Sequence, residues 1–183
     1  MAAKLLVLAG PTAVGKGTVA RHIIENHPEI VLSVSATTRQ PRPGEIDGKS
    51  YFFLTDAEFD ELIETGEILE YAVVHGTHRY GTPRQPVEAA LTAGHPVLLE
   101  IDIQGARQVK AAMPEAITVF LTPPTWDELV ERLRGRGTET EAQMATRLET
   151  AKVELAAQGE FDHVIVNDEV AKCAASVVEL MKS

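Results

Sequence analysis

Cysteine is almost missing: Cys173 is the only one in 183 residues. No disulfide can form within the chain, and a reducing, cytoplasmic setting is expected. Cys173 itself reads as a packing residue of the last helix. Long apolar runs are missing too. The opening KLLVLAG is far short of the roughly 20 residues that span a bilayer. It runs straight into a glycine-rich turn, as a buried strand does and a signal peptide does not. Positive charge is scarce, with Lys+Arg 17 against Asp+Glu 27 and a net charge of −10. The continuous basic surface that grips a nucleic-acid backbone is therefore excluded. Histidine offers one close pair, His75 and His78, without a third histidine or a cysteine near them in sequence. They read as loop residues, since a zinc site normally needs three protein ligands, and no metal ligand is assigned to the chain.

What is present is enough for one core: 44% of the residues are hydrophobic, and the length suits a single domain with insertions. Leu5–Ala9 and residues 96–101, 117–121 and 164–166 are compact apolar runs of the kind found in strands buried on both faces. Between them lie helical spacings such as Val19, Ile23 and Ile24, or Leu129 and Leu133. The alternation predicts an α/β fold with a parallel core sheet. Residues 35–82 break the rhythm. A long turn-rich loop, TTRQPRPGEIDG, precedes a short strand, YFFL. The capping box of Thr55 and Glu58 then opens a helix with Phe59, Leu62 and Ile63, and ILEYAVV alternates like a half-exposed strand. This is a small α+β insertion suited to holding a second ligand. In RLRGRGTETEAQMATRLETAKVELAAQ, glycines interrupt a basic segment, and a long amphipathic helix is expected from about Thr138. Residues 134–158 read either as a mobile helical lid or as a solvated helix end and loop. The core then comprises residues 1–34, 83–133 and 159–183 of one domain.

The stretch GPTAVGKGT, residues 10–18, has the spacing of a phosphate-binding loop (P-loop) between a predicted strand and a predicted helix. Gly10 and Gly15 let backbone N–H groups turn inward, with Pro11, Thr12, Ala13 and Val14 forming the bend, and the helix N-terminus adds partial positive charge. Lys16 reaches the outer phosphates of a triphosphate. Gly17 stands where many such loops place a hydroxyl on Mg²⁺. The metal can instead be held by phosphates and water. Thr18 lies one residue further into the helix and is no automatic replacement.

The chain resembles the guanylate kinases nearly end to end, in GPTAVGKGT, SVSATTRQPRPGEIDGKSYFF, LEYAVVHGTHRYGTP, LLEIDIQGAR, ERLRGRGTETE with RL at Arg147, and VIVND. The second segment is the most specific of these. The resemblance implies a P-loop three-layer fold and transfer of the γ-phosphoryl group of MgATP to GMP or dGMP, in purine nucleotide metabolism. It implies that Arg39, Arg42, Tyr51 and Tyr80 hold the GMP phosphate, as forked guanidinium and phenolic donors suit a dianion. Glu70 falls at the guanine-binding position, where one carboxylate accepts from both N1–H and the 2-amino group. Ser35 and Thr82 match hydroxyl contacts to the base and Asp102 a supporting acid. The resemblance also implies that Arg136 and Arg147 are catalytic lid arginines acting with Lys16, and Asn167 matches an adenine contact, although an asparagine directly after a strand also reads as a turn residue. Glu100 stands where aspartate is common, which leaves its role near Mg²⁺ open. ATP and GMP are the expected partners; the oligomeric state is not legible. Two other readings compete. A phosphopeptide-binding scaffold would have a degraded loop, whereas this chain keeps Gly15, Lys16 and the lid arginines. A kinase of phosphorylated sugars would have no use for a guanine-reading carboxylate.

Overall fold

In the computed structural model, residues 3–74, 76–135 and 140–183 are described. His75 and Arg136 therefore lie outside the described residues, as does Thr138, where the lid helix was expected to start.

The core is a parallel sheet of β1 (Leu5–Ala9), β2 (Val31–Leu32), β7 (Val97–Glu100), β8 (Ile117–Thr122) and β9 (His163–Val166), in the order β2-β7-β1-β8-β9. β1 runs down the middle and is buried throughout. Its alternate side chains face two different helical layers. Leu6 and Leu8 pack with Val19 and Ile23 of α1 (Lys16–Asn26) and Val177 of α7 (Val170–Lys182). Leu5 and Val7 pack on the other side, with Val87 of α3 (Arg84–Thr92) and Val109 of α4 (Ile103–Ala112). These are the three layers expected.

Two readings need correction at the sheet's margins. The run at 164–166 was expected to be buried on both faces, but Val164 is 47% and Val166 48% exposed. β9 is an edge strand, and of its residues Ile165 packs against the core cluster while these two valines remain on the open side. β2 was not foreseen, because two residues carry no periodicity; it pairs with Val97 and Leu98 at the opposite edge.

The insertion forms its own sheet, β4-β3-β6-β5, from β3 (Ala36–Thr37), β4 (Phe52–Phe53), β5 (Ile68–Val74) and β6 (His78–Pro83). The capping box at Thr55 and Glu58 opens α2 (Asp56–Glu64) as the sequence predicts, and Phe59 is its buried anchor. The basic segment closes α5 (Trp126–Arg134), and α6 (Glu141–Ala156) opens at Thr140, capped reciprocally with Gln143. α6 is not detached from the body. Ala151 is fully buried beside Leu129 and Leu133, with Met144, Leu148, Leu155 and the P-loop's own Ala13 around them.

Phe120 ties the central strands to the far end of the chain. It is fully buried, and its ring stands edge-on to Phe161 at 5.2 Å between centroids. Truncation leaves a cavity between the sheet and the segment after α6. Phe120→Ala is expected to destabilise the fold by about 3–5 kcal/mol, measured by equilibrium urea denaturation.

Candidate active site

The P-loop joins β1 to α1 at the carboxyl edge of the core sheet. Gly10 adopts φ 151°, and a Cβ there would lie 2.5 Å from the Leu121 carbonyl oxygen. No side chain fits. Gly15, at φ 99°, forms the left-handed N-cap of α1, and a Cβ there would meet Asn167 Nδ2 at 2.7 Å. Ala13 also has positive φ, 64°, an uncommon conformation for a residue with a Cβ. The loop is braced from outside through one carbonyl. Val14 O accepts from Asn167 Nδ2 at 2.8 Å and from Arg132 Nη1 at 3.1 Å, while Arg132 Nη2 also donates to Asn167 O at 3.1 Å. Asn167 is therefore no simple turn residue: it is 3% exposed, and its Oδ1 has no hydrogen-bond partner among the described residues. Lys16 Nζ donates to the Gly10 and Pro11 carbonyls at 2.7 and 3.3 Å.

Gly17 and Thr18 are both exposed. A Cβ on Gly17 would lie 3.5 Å from Glu100 Oε1. A carboxylate at the end of β7 thus stands over the position whose hydroxyl is missing. From the lid side, Glu154 of α6 accepts the Thr12 N–H at 3.2 Å. Partial burial raises its pKa above the ordinary carboxylate value, against the pull of the Thr12 amide and the Lys16 charge. Arg147 lies two turns earlier on α6, and at that spacing shares a helix face with Glu154. Arg134, at the end of α5, is exposed.

Glu70 on β5 is only 7% exposed. Its Oε1 accepts from Thr82 Oγ1 at 2.7 Å. Burial, chiefly, lifts its pKa, the Thr82 bond opposes this, and the Asp102 charge adds to the rise. Asp102 caps α4 by accepting Gly105 N–H at 2.7 Å. Ser35 directly precedes β3, and its carbonyl accepts from Phe52 N–H at 2.9 Å.

The remaining predicted residues meet at the loop end of the insertion. Arg39 donates through Nε to Tyr80 Oη at 3.1 Å, and its Nη1 and Nη2 fork onto Glu45 at 3.0 and 2.9 Å. Glu45 also takes the Arg42 N–H at 2.7 Å, and these bonds hold its carboxyl down to about 2. The Arg39 guanidinium lies 5.4 Å from the Tyr51 ring centroid, and the Tyr51 and Tyr80 rings meet edge to face at 5.8 Å. The Arg42 side chain is exposed. One carboxylate thus organises both arginines, a role for Glu45 that sequence reading missed. Its place in PRPGE, three residues after Arg42, was the available signal. Arg132 and Glu154 had no such signal, because their partners lie 118 and 142 residues away.

The described residues thus comprise a phosphate-binding loop braced by Asn167 and Arg132, a cluster of Arg39, Glu45, Tyr51 and Tyr80 in the insertion, and a buried carboxylate, Glu70, against the start of α4. A sequence model described as "Guanylate kinase" matches residues 2–183. The chain is 66% identical to a guanylate kinase of Leifsonia xyli subsp. xyli (strain CTCB07), over 97% of this chain and 70% of that one. It is 60% identical to a guanylate kinase of Nocardia farcinica (strain IFM 10152), over 98% of this chain and 94% of that one. The crystal structure of guanylate kinase from Anaplasma phagocytophilum superposes with a TM-score of 0.74 at 34% identity, covering 100% of this chain and 86% of that one. A shikimate kinase from Bacteroides thetaiotaomicron, at a TM-score of 0.52 and 12% identity over 98% of this chain and 99% of that one, shares the fold alone. Among the described residues no helix is long and apolar enough to cross a membrane. A phosphate-binding loop, a family model over almost the whole length and relatives of one name converge: the chain belongs to the guanylate kinase family and is an ATP:GMP phosphotransferase.

Proposed function

We propose the following division of labour for the transfer of the γ-phosphoryl group from ATP to GMP or dGMP. The amides of residues 10–18 and the Lys16 ammonium take the triphosphate, and the Asn167 Oδ1, without a hydrogen-bond partner among the described residues, accepts from the adenine amino group. Arg39, Arg42, Tyr51 and Tyr80 grip the GMP phosphate. Glu70 takes the guanine N1–H and 2-amino protons, with Ser35, Thr82 and Asp102 around the base. Arg136 and Arg147 face the transferring group from the lid.

The observation that carries this reading is the burial of Glu70. A carboxylate 7% exposed, with a threonine hydroxyl as its one hydrogen-bond donor among the described residues, is costly until further donors arrive. Guanine presents two donors side by side. Adenine presents an acceptor at N1, which would leave the carboxylate facing a lone pair, and mismatches of this kind discriminate strongly.

The transfer needs alignment and positive charge more than covalent help. The GMP phosphate is itself the nucleophile and is largely ionised near neutral pH, so no side chain is needed as general base. Lys16 neutralises charge on the donor side, and its present carbonyl partners at Gly10 and Pro11 exchange for phosphate oxygens. Closure of α6 over the loop keeps water from competing for the phosphoryl group. Mg²⁺ fits the site through phosphates and water, with the Glu100 carboxylate beside Gly17 placed to accept from its water shell. When bound, the ion neutralises charge on the phosphates. The setting is purine nucleotide metabolism in the cytoplasm.

A coupled ADP-release assay with GMP, AMP and a ribose bisphosphate as acceptors tests the assignment. GMP should be preferred over AMP by several orders of magnitude, and a preference for any other acceptor overturns it. Lys16→Ala should lower kcat by roughly two to three orders of magnitude while leaving the melting temperature nearly unchanged.

Glu154 stands on the Thr12 amide in the field of Lys16, where the triphosphate arrives. Glu154→Gln removes this negative charge at constant shape, so ATP affinity in calorimetry is expected to rise about threefold to tenfold. Equal affinity would mean that the carboxylate swings clear without cost.

A further inference from the structure

β5 is an outer strand of the insertion sheet, and the outward backbone groups of such a strand lack a strand partner. At Tyr71 a core helix supplies one. Gln108 Oε1 of α4 accepts the Tyr71 N–H at 3.1 Å, and Gln108 Nε2 donates to the Tyr71 carbonyl at 3.1 Å. A primary amide here does what a neighbouring peptide group does in a sheet. Tyr71 is the residue after Glu70, so these two bonds fix the backbone one peptide away from the base-reading carboxylate.

One turn earlier on the same face of α4 is Gly105, which is buried. A Cβ there would stand 2.9 Å from Glu70 Oε2 and 3.2 Å from Asp102 Oδ1. Gly105 is in the first turn of a helix, where its backbone needs no special freedom. Glycine within a helix costs about 0.5–1 kcal/mol relative to alanine, and the space it leaves is filled by the Glu70 carboxylate. Thr82 holds that carboxylate from the other side at 2.7 Å.

We propose that Gly105 and Gln108 form a platform on α4 that sets the pose of Glu70, making both of them positioning residues for guanine selection. Neither need touch the nucleotide. Gln108 fixes where β5 passes the core, and Gly105 fixes how closely the carboxylate lies against the helix. Together with Thr82 they leave the two carboxylate oxygens one arrangement in which to meet a pair of adjacent donors. The proposal rests on the reading that Glu70 accepts from guanine.

Three variants of the full chain separate the two ideas: Gly105→Ala, Gln108→Met, which keeps length while removing both amide bonds, and Glu70→Gln as reference. The readouts are kcat and KM for GMP and AMP, KM for ATP, and thermal melting. Gly105→Ala and Gln108→Met are each expected to raise KM for GMP about tenfold, the effect of one or two misplaced hydrogen bonds. KM for ATP should stay within about twofold, and the preference for GMP over AMP should fall as it does in Glu70→Gln. A helix that gains an alanine is intrinsically favoured, so a loss confined to GMP is not a folding defect. Should Gly105→Ala melt early, the Gln108→Met result decides. The platform is overturned if KM for GMP is unchanged in both variants, or if KM for both nucleotides rises together, while Glu70→Gln still erodes the preference. If Glu70→Gln leaves the preference intact, the guanine reading itself falls and the platform with it.

Discussion

The Val14 carbonyl is the point on which the catalytic end of the molecule depends. Amides of a phosphate-binding loop point inward only if its carbonyls point outward, and an outward carbonyl in a half-buried loop needs donors. Asn167 and Arg132 both supply them to this one oxygen. They come from the segment after β9 and from α5, so two ends of the fold converge on a single peptide group. The strain implied by Ala13 at φ 64° is tolerated because the surrounding elements determine it. The same α5 buries Leu129 and Leu133 against α6, which ties the loop's brace to the lid's seat.

The missing hydroxyl at residue 17 takes a different meaning beside Glu100. Glycine there leaves room over the start of α1, and a longer acid from the end of β7 reaches into it. A charged oxygen thus stands close to where a neutral one is usual. The site's negative groups are consequently spread among Glu100, Asp102 and Glu154 on three separate elements, and the cationic groups opposite them must be read as a balanced set rather than one residue at a time.

Elements written by local periodicity were legible in the sequence. β1, the loop at residues 10–18, the capping box at Thr55 and Glu58 and the α+β insertion all follow from neighbours within a few residues, because turns, caps and strand runs are local events. The concentration of scarce arginine in one loop drew notice to Arg39 and Arg42, whereas the family resemblance supplied Glu70, which composition and spacing would not have singled out. What escaped was set by distance along the chain. Arg132 bracing Val14, Glu154 on Thr12 and Gln108 on Tyr71 join residues 118, 142 and 37 positions apart, and no period records such a contact. The exposure of Val164 and Val166 escaped for a related reason: whether an apolar strand is central or at an edge is decided by the sheet order.

The attachment of β5 to α4 also fixes the mechanics of the insertion. Glu70 lies on the strand held by the core, whereas Tyr51 directly precedes β4, on the opposite margin of the same four-stranded sheet. Three interstrand spacings separate the two, about 14 Å. On the proposed reading of Glu70, the insertion sheet could then act as a lever whose fixed end is its attachment to α4. A rotation of about 10° around Gln108 would leave Glu70 nearly still and carry the Tyr51 margin by about 2 Å, given that span. On that reading, recognition of the base would sit where such a motion is least, and delivery of the phosphate where it is greatest.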